Sequence, residues 1–354
     1  MLTGNKGEWS EIYTFFKLLA DKKVFSGDAD LKKMEKLFYP IVKIVREEQA
    51  GKFEYLIDSN VVLVFGGDKE IKISVDTFKE IAGQLFERIR NANGVFSLPE
   101  IEEFMSSIYC NSLKAKSSDK TDIKVVIHDL RTGLQHLLGF SIKSKLGSPS
   151  TLLNAGGDTT NFIYQIKGID KAIAKEVNLV KKFQEKFELL RKYKALIEFV
   201  SPANSVFKSN LVYVDYCLPE IIGNITLLYY SSPNTTVSDI VNIINDENPL
   251  DFDYSYNQNF YEHKVKRFLT DIALGLKTSK PWKGKYEATG GYLIVKEDGD
   301  VICYHIYDKN QFEDYLFNNT KLETPSTSRH LFGNIYEKED GQFYMKLNLQ
   351  VRFL

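Results

Sequence analysis

The chain has 354 residues, 43% of them hydrophobic, with 46 basic residues against 47 acidic ones. That length can bury a large core, and the balanced charge excludes a global basic field, so any contact with a polyanion must come from local clusters. Three widely spaced cysteines, five scattered histidines and the lack of any long apolar run set aside a disulfide framework, a zinc site and a membrane span. The expectation is a soluble intracellular protein.

Trp9, Ile12, Phe15, Phe16 and Leu19 recur at helical spacing, so residues 1–22 read as a short lead and a helix. Glu8 and Glu11 are three apart on it and project from neighbouring positions. Acids in a first turn suit the positive end of the helix dipole. Either could also complete a metal site, and spacing does not choose between them. From Val24 to Ala50 the pattern predicts a polar segment leading into an apolar helix at Leu37 to Val45. Strands are expected over Phe53 to Phe65 and Ile71 to Val75, with a turn at Gly66-Gly67-Asp68. Asp76 is expected to cap a helix from Thr77 to Asn91, and Pro99 to open another that runs to about Tyr109.

The stretch from Asp119 to Gly168 carries the chemistry. Two strands, Asp122 to Leu130 and Leu134 to Leu146, are joined by a turn at Thr132-Gly133, where glycine can take positive φ. A pairing centred on that turn sets Asp122 opposite Lys143 and Lys124 opposite Ser141. Alternation puts Asp122, Ser141 and Lys143 on one face, and Ile123, Val125, Phe140 and Ile142 on the other. A carboxylate at a strand start can hold a hard divalent cation, and a lysine beside it can orient or deprotonate a water for attack on phosphorus. This layout resembles the PD-(D/E)xK nuclease core, in which an Asp and an acidic-x-Lys triplet sit on adjacent strands. Here the triplet is Ser141-Ile142-Lys143, so serine fills the acidic slot and one charged ligand fewer is present. The competing reading is an ordinary hairpin with a surface Asp and Lys. His128-Asp129 lies in a strand near the turn, without further histidines at ligand spacing, and reads as turn chemistry.

Beyond the hairpin, loops rich in Ser, Thr, Asn and Gly precede the apolar run Phe162 to Ile166. Thr160 and Asn161, with Ser144 and Lys145 beside the triplet, are candidates for contacts to DNA phosphates. Ile169 to Phe199 reads as one long amphipathic helix with room for a single break. Leu211 to Tyr216 is expected as a strand, and Pro219 to Tyr230 and Val237 to Ile244 as helices. The densest basic cluster is residues 262–285, where Lys280 and Lys283 are candidate phosphate contacts. A hairpin from Tyr292 to Tyr307, a short helix at Phe312 to Phe317 and a last hairpin around Asp340-Gly341 complete the chain. The loop Thr324 to His330 offers Thr327, Arg329 and His330 to base edges and phosphates. No linker-like composition appears. The fold is expected to be one integrated α+β enzyme over 1–354, a mixed sheet flanked by helices. Its catalytic core would take about 1–200 and its DNA-contacting part 201–354.

Several blocks, in order, carry a wider resemblance: NKGEWSEIY, SDKTDI, GFSIKSKLG with TLLNAGGDTTNFIYQI, and GGYLIVKEDGDVICYHIY with TPSTSRHLFGNIY. Together they span nearly the whole chain, which resembles the HpaII-type restriction endonucleases. The resemblance implies a type II deoxyribonuclease that recognises CCGG and cuts after the first C, with Mg²⁺. By position it makes Asp122 a metal ligand, Lys143 the catalytic lysine, Ser141 the occupant of the acidic slot, and Glu8 or Glu11 the helical carboxylate. It also implies double-stranded DNA as substrate, a cognate DNA methyltransferase as counterpart and a cytoplasmic setting. The chain has no internal repeat and one such hairpin, so a palindromic site cut on both strands predicts a homodimer on DNA. A non-cleaving DNA-binding module, or a nuclease acting in repair or on modified DNA, could share the core. Intact Asp122 and Lys143 argue against the first of these.

Overall fold

The structure, a computed structural model, describes residues 1–66, 69–114 and 120–354. Gly67 and Asp68 of the expected turn, and Asp119, lie outside the described residues. The chain forms two compact units from interleaved segments, Met1–Ser150 with Tyr286–Tyr315, and Thr151–Lys285 with Leu316–Leu354. A boundary near residue 200 therefore falls inside the second unit.

The first unit is built on one mixed sheet. Its strands are β1 (Lys23–Gly27), β2 (Lys33–Glu48), β3 (Gly51–Asp58), β4 (Val61–Gly66), β5 (Lys69–Ser74), β6 (Ile123–His128), β7 (Gln135–Ser144), β8 (Gly291–Val295) and β9 (Val301–His305). The order is β1-β9-β8-β7-β6-β2-β3-β4-β5, with β1 also paired to β2. That extra pairing closes a ring of six strands. It is possible because β2 is 16 residues long: its first half pairs β1 and its second half pairs β6 and β3. β8 runs parallel to β7, and β9 runs parallel to β1. The apolar helix expected at Leu37 to Val45 is thus strand. Ile41, Val42, Ile44 and Val45 are β-branched, and Pro40 lacks the N–H a helix interior requires.

The helix α1 (Lys6–Asp21) is buried on nearly every side, with Trp9, Ile12, Phe15, Phe16, Leu18 and Leu19 no more than 1% exposed. Ser10 and Thr14 are buried with them, and their hydroxyls donate back to the carbonyls of Lys6 and Ser10 at 2.7 and 2.8 Å. Helix α2 (Val75–Asn91) presents Phe78, Ala82, Leu85 and Ile89 to the same core. Its cap is Ser74, whose hydroxyl accepts from Asp76 N, and not Asp76 itself. Truncating Phe16 or Phe78 to alanine in such packing costs about 3–5 kcal/mol.

The β6–β7 hairpin pairs Ile123 with Phe140 and Lys124 with Gly139, ending at His128 and Gln135. That register is two residues from the one expected. Asp129 N donates to Leu134 O at 3.0 Å, so the connection is Leu130–Gly133, with Gly133 at φ +72°. The Asp129 carboxylate accepts from Arg131 N at 2.9 Å, which fixes that longer turn and confirms Asp129 as turn chemistry. A slip of two residues preserves the side-chain alternation. The faces therefore stand as expected, while Asp122 comes beside Ser141 instead of Lys143.

The second unit holds a four-stranded sheet, Leu196–Pro202, Asn161–Lys167, Phe343–Asn348 and Ile335–Glu337 in that order, and a three-stranded one. The long helix expected with room for one break is broken once, into Lys171–Leu179 and Phe183–Lys192, and its expected end is instead the strand Leu196–Pro202. The strand expected at Leu211 to Tyr216 belongs to a helix, Ser205–Val214, because Asn204 caps its start through Phe207 N at 2.9 Å. The 324–330 loop contains one helical turn, Thr327–His330, capped by Ser326. Among the described residues, no single helix is long and apolar enough to cross a membrane.

Candidate active site

Asp122 lies just before β6, and its N–H donates to Phe140 O at 2.9 Å, an added rung of the hairpin. This brings its carboxylate against β7. Oδ2 accepts from the Ser141 hydroxyl at 2.9 Å and from Ile142 N at 2.7 Å. Lys143 Nζ in turn donates to Ser141 Oγ at 2.9 Å. Lysine, serine and aspartate form one chain of hydrogen bonds, with serine bridging where a further acid would otherwise stand. Gly139 leaves room for the crossing of the two strands, since a Cβ there would lie 2.6 Å from Thr121 Oγ1. Parallel β8 sets Tyr292 in register with Ser141, and its ring centroid lies 5.2 Å from Lys143 Nζ. Nothing in the hairpin sequence announces that cation–π contact. Burial pushes the Lys143 ammonium below the usual lysine range, while Asp122 and Glu11 pull it the other way.

The two glutamates of α1 separate cleanly. Glu8 forms a capping box with Asn5: its carboxylate accepts from Asn5 N at 2.9 Å, and Asn5 Oδ1 accepts from Glu8 N at 3.1 Å. The Asn5 N–H and then Lys114, 2.9 Å away, hold Glu8 below the usual carboxylate range. Glu11 is half-buried, and burial followed by the charge of Asp122 pushes it up to about 8. Lys114, Arg46 and Lys143 draw it down less. Glu11, desolvated and within the field of Asp122, and Asp122 itself offer hard oxygen donors of the kind a small divalent cation takes. Among the described residues no cluster of three or more His, Cys, Asp or Glu side chains is grouped for a metal. Serine in the acidic slot accounts for that, and magnesium needs only one or two protein carboxylates when substrate oxygens supply the rest.

Glu11, Lys143 and Ser144 line a cleft of about 900 Å³, together with Lys6 and the loops at 93–95 and 146–150. Ser144 Oγ is also within hydrogen-bond distance of Ser10 Oγ, at 2.8 Å, and half-buried Lys145 joins β7 to β8 through its N–H to Val295 O. In the second unit, Lys280 and Lys283 are exposed on a loop clamped by buried Asn210. Its amide donates to the carbonyls of Lys277 and Lys280 at 3.0 and 2.9 Å and accepts from Trp282 N. Lys264 and Lys266 of the same basic cluster are paired with Asp215 and Glu262. Thr327 and Arg329 are exposed, and His330 Nδ1 accepts from Gly157 N at 3.0 Å.

Thr160 and Asn161 depart from expectation. Both are fully buried. Asn348 Nδ2 donates to Thr160 Oγ1 at 3.1 Å and to Asn161 Oδ1 at 2.6 Å, while Asn161 Nδ2 donates to His330 O at 3.0 Å. Their side chains tie loops together and do not reach a solvent-borne ligand.

An acid, a hydroxyl and a lysine in line on adjacent strands, with a second acid from the opening helix in electrostatic reach, are groups able to hold a divalent cation and to orient a water. The chain belongs to the HpaII restriction endonuclease family, whose model matches residues 5–353. It is 45% identical to the type II restriction enzyme HpaII of Haemophilus parainfluenzae, over 99% of each chain. No solved structure matches it. The protein is a type II restriction endonuclease.

Proposed function

We propose that this restriction endonuclease hydrolyses double-stranded DNA at CCGG, after the first C, with Mg²⁺ as cofactor, at the Asp122–Ser141–Lys143 chain. That chain of hydrogen bonds, with Glu11 in electrostatic reach of both ends, is the observation that carries the reading. Asp122 and Glu11 would hold the cation, which when bound stabilises the charge that builds on the phosphoryl oxygens. Lys143, its proton affinity lowered by burial, orients the attacking water and accepts its proton. Ser141 fixes the lysine amine over the hairpin, and the Ile142 N–H holds Asp122 so that Oδ1 is the oxygen left for a ligand. The mixed sheet with α1 across it serves as a restriction-endonuclease-like core within one integrated enzyme. Ser144, Lys145, Lys280, Lys283, Thr327, Arg329 and His330 are proposed contacts to DNA.

One such site per chain and a two-fold symmetric target favour a homodimer on DNA, each copy cutting one strand. The enzyme acts in the cytoplasm beside a methyltransferase that protects the same sequence. Digestion of plasmid DNA with Mg²⁺ or with a chelator, followed by sequencing of the ends, tests the reading. Ends with a 5′ extension of CG at CCGG, seen only with the metal, are expected. Ends at another sequence would remove the CCGG assignment, and cleavage under chelation would remove the metal.

A further inference from the structure

Ahead of β6, the chain is held by a buried ion pair on β2. The side chains of Arg46 and Glu48 are each 2% exposed and 3.0 Å apart. Such a pair offsets its desolvation only when its remaining donors and acceptors are also met. Residue 112 meets them: Arg46 donates to Ser112 O at 2.8 Å, and the Ser112 hydroxyl donates to the second Glu48 oxygen at 2.7 Å. Two residues on, Lys114 places Nζ 2.9 Å from Glu8 Oε1, at the N-terminus of α1 and one turn from Glu11. The Lys114 side chain is nevertheless 61% exposed. An exposed pair of this kind contributes about 0–1 kcal/mol, too little to explain a buried clamp two residues away. Glu8 already has its capping role through its other oxygen. Lys114 also feels the charges of Glu11 and Asp122. It is a cation paired with Glu8 and within the field of Asp122 and of Glu11, the acid that lines the cleft, where uncompensated negative charge would repel a polyanion.

We propose that Lys114 is a DNA-phosphate contact flanking the catalytic pair, positioned by the Arg46–Glu48–Ser112 bracket. The proposal rests on the nuclease reading above. It gives the bracket a positioning role and Lys114 a binding one.

The test is duplex binding with Lys143→Ala as the parent, at several salt concentrations, using a duplex that carries the recognition site. Adding Lys114→Met should weaken binding about 5–10-fold near 0.1 M salt and lower the slope of log K against log salt by about 1. Lys114→Arg should restore both. Ser112→Ala keeps the charge but loosens the segment, and should cost about 2–3-fold in affinity with the full slope retained. Affinity and slope equal to the parent in Lys114→Met overturn the proposal, as does an equal loss in Lys114→Arg. Unchanged binding in Ser112→Ala removes the bracket from it. A parent that binds no duplex overturns the nuclease reading itself, so the two failures are distinguishable.

Discussion

In the first unit, Glu11, Asp122 and Lys143 are ionisable groups brought together with their charges only partly matched; in the second, Thr160, Asn161 and Asn348 are neutral groups closed on one another. The second cluster is fully buried, yet its amides and hydroxyl are joined by hydrogen bonds of 2.6–3.1 Å, with Asn348 Oδ1 the one side-chain oxygen left over. The first is more open to solvent and still pushes Glu11 up to about 8 and Lys143 down. Neutral, satisfied polar groups fix loops, whereas titratable groups displaced by burial and neighbouring charge are concentrated at functional sites.

The largest effect that could break this comparison is on turnover. Lys143→Ala should lower single-turnover cleavage by about 10²–10⁴-fold while specific binding is retained, as the role proposed for the lysine at the attacking water requires. Asp122→Asn should behave alike. Wild-type cleavage by Lys143→Ala would remove the site from this hairpin. In the neutral cluster the expectation is reversed. Asn161→Ala strands a buried Asn348 donor and should cost about 1–3 kcal/mol of stability, read by denaturant unfolding, with the folded fraction cutting at the parent rate. A stable Asn161→Ala that has lost DNA affinity would make Asn161 a contact after all.

Both clusters attracted attention as sequence, and the reason is instructive. Loops of Ser, Thr, Asn and Gly look the same whether their polar atoms face water or one another, and only the strand Phe343–Asn348, nearly two hundred residues on, decides it for Thr160 and Asn161. The hairpin was legible because alternation and a Gly turn are local signals, and its face assignment survived a register error that preserved parity. The different surroundings of Glu8 and Glu11 were not legible, since they depend on Asn5 folding back onto Glu8. Tyr292, Arg46 and Lys114 were silent for the same reason: parallel pairing of β8 with β7 and the bracket on β2 are long-range. Short β-branched runs around Pro40 and the capping Asn204 misled the helix and strand assignments, where tertiary pairing and a cap overrode apolar spacing.

A middle-sized effect sharpens the comparison through pH. Glu11 has a folded pKa of about 8 against 4.5 as an ordinary glutamate. Between those values the folded state binds more protons than the unfolded one, so stability in chelator falls as pH rises through that window. Glu11→Gln should therefore melt above the parent at pH 8–9 and show no such advantage near pH 4. An equal melting temperature at every pH would mean that Glu11 carries no stored charge penalty.

The smallest expected effect concerns the neighbouring acid, and it tests whether α1 contributes one carboxylate to chemistry or two. Glu8 spends one oxygen on Asn5 N and the other on Lys114, so Glu8→Ala removes a capping contact and a favourable first-turn charge. The cost should be about 0.5–1 kcal/mol, seen as a modest fall in melting temperature. Mg²⁺-dependent cleavage by the folded variant should remain far above that of Glu11→Ala measured beside it. If the order is inverted, with Glu8→Ala inactive and Glu11→Ala active, the capping box is not the role of Glu8, and the cation would have to be held nearer the start of the helix than Asp122 and Glu11 together imply.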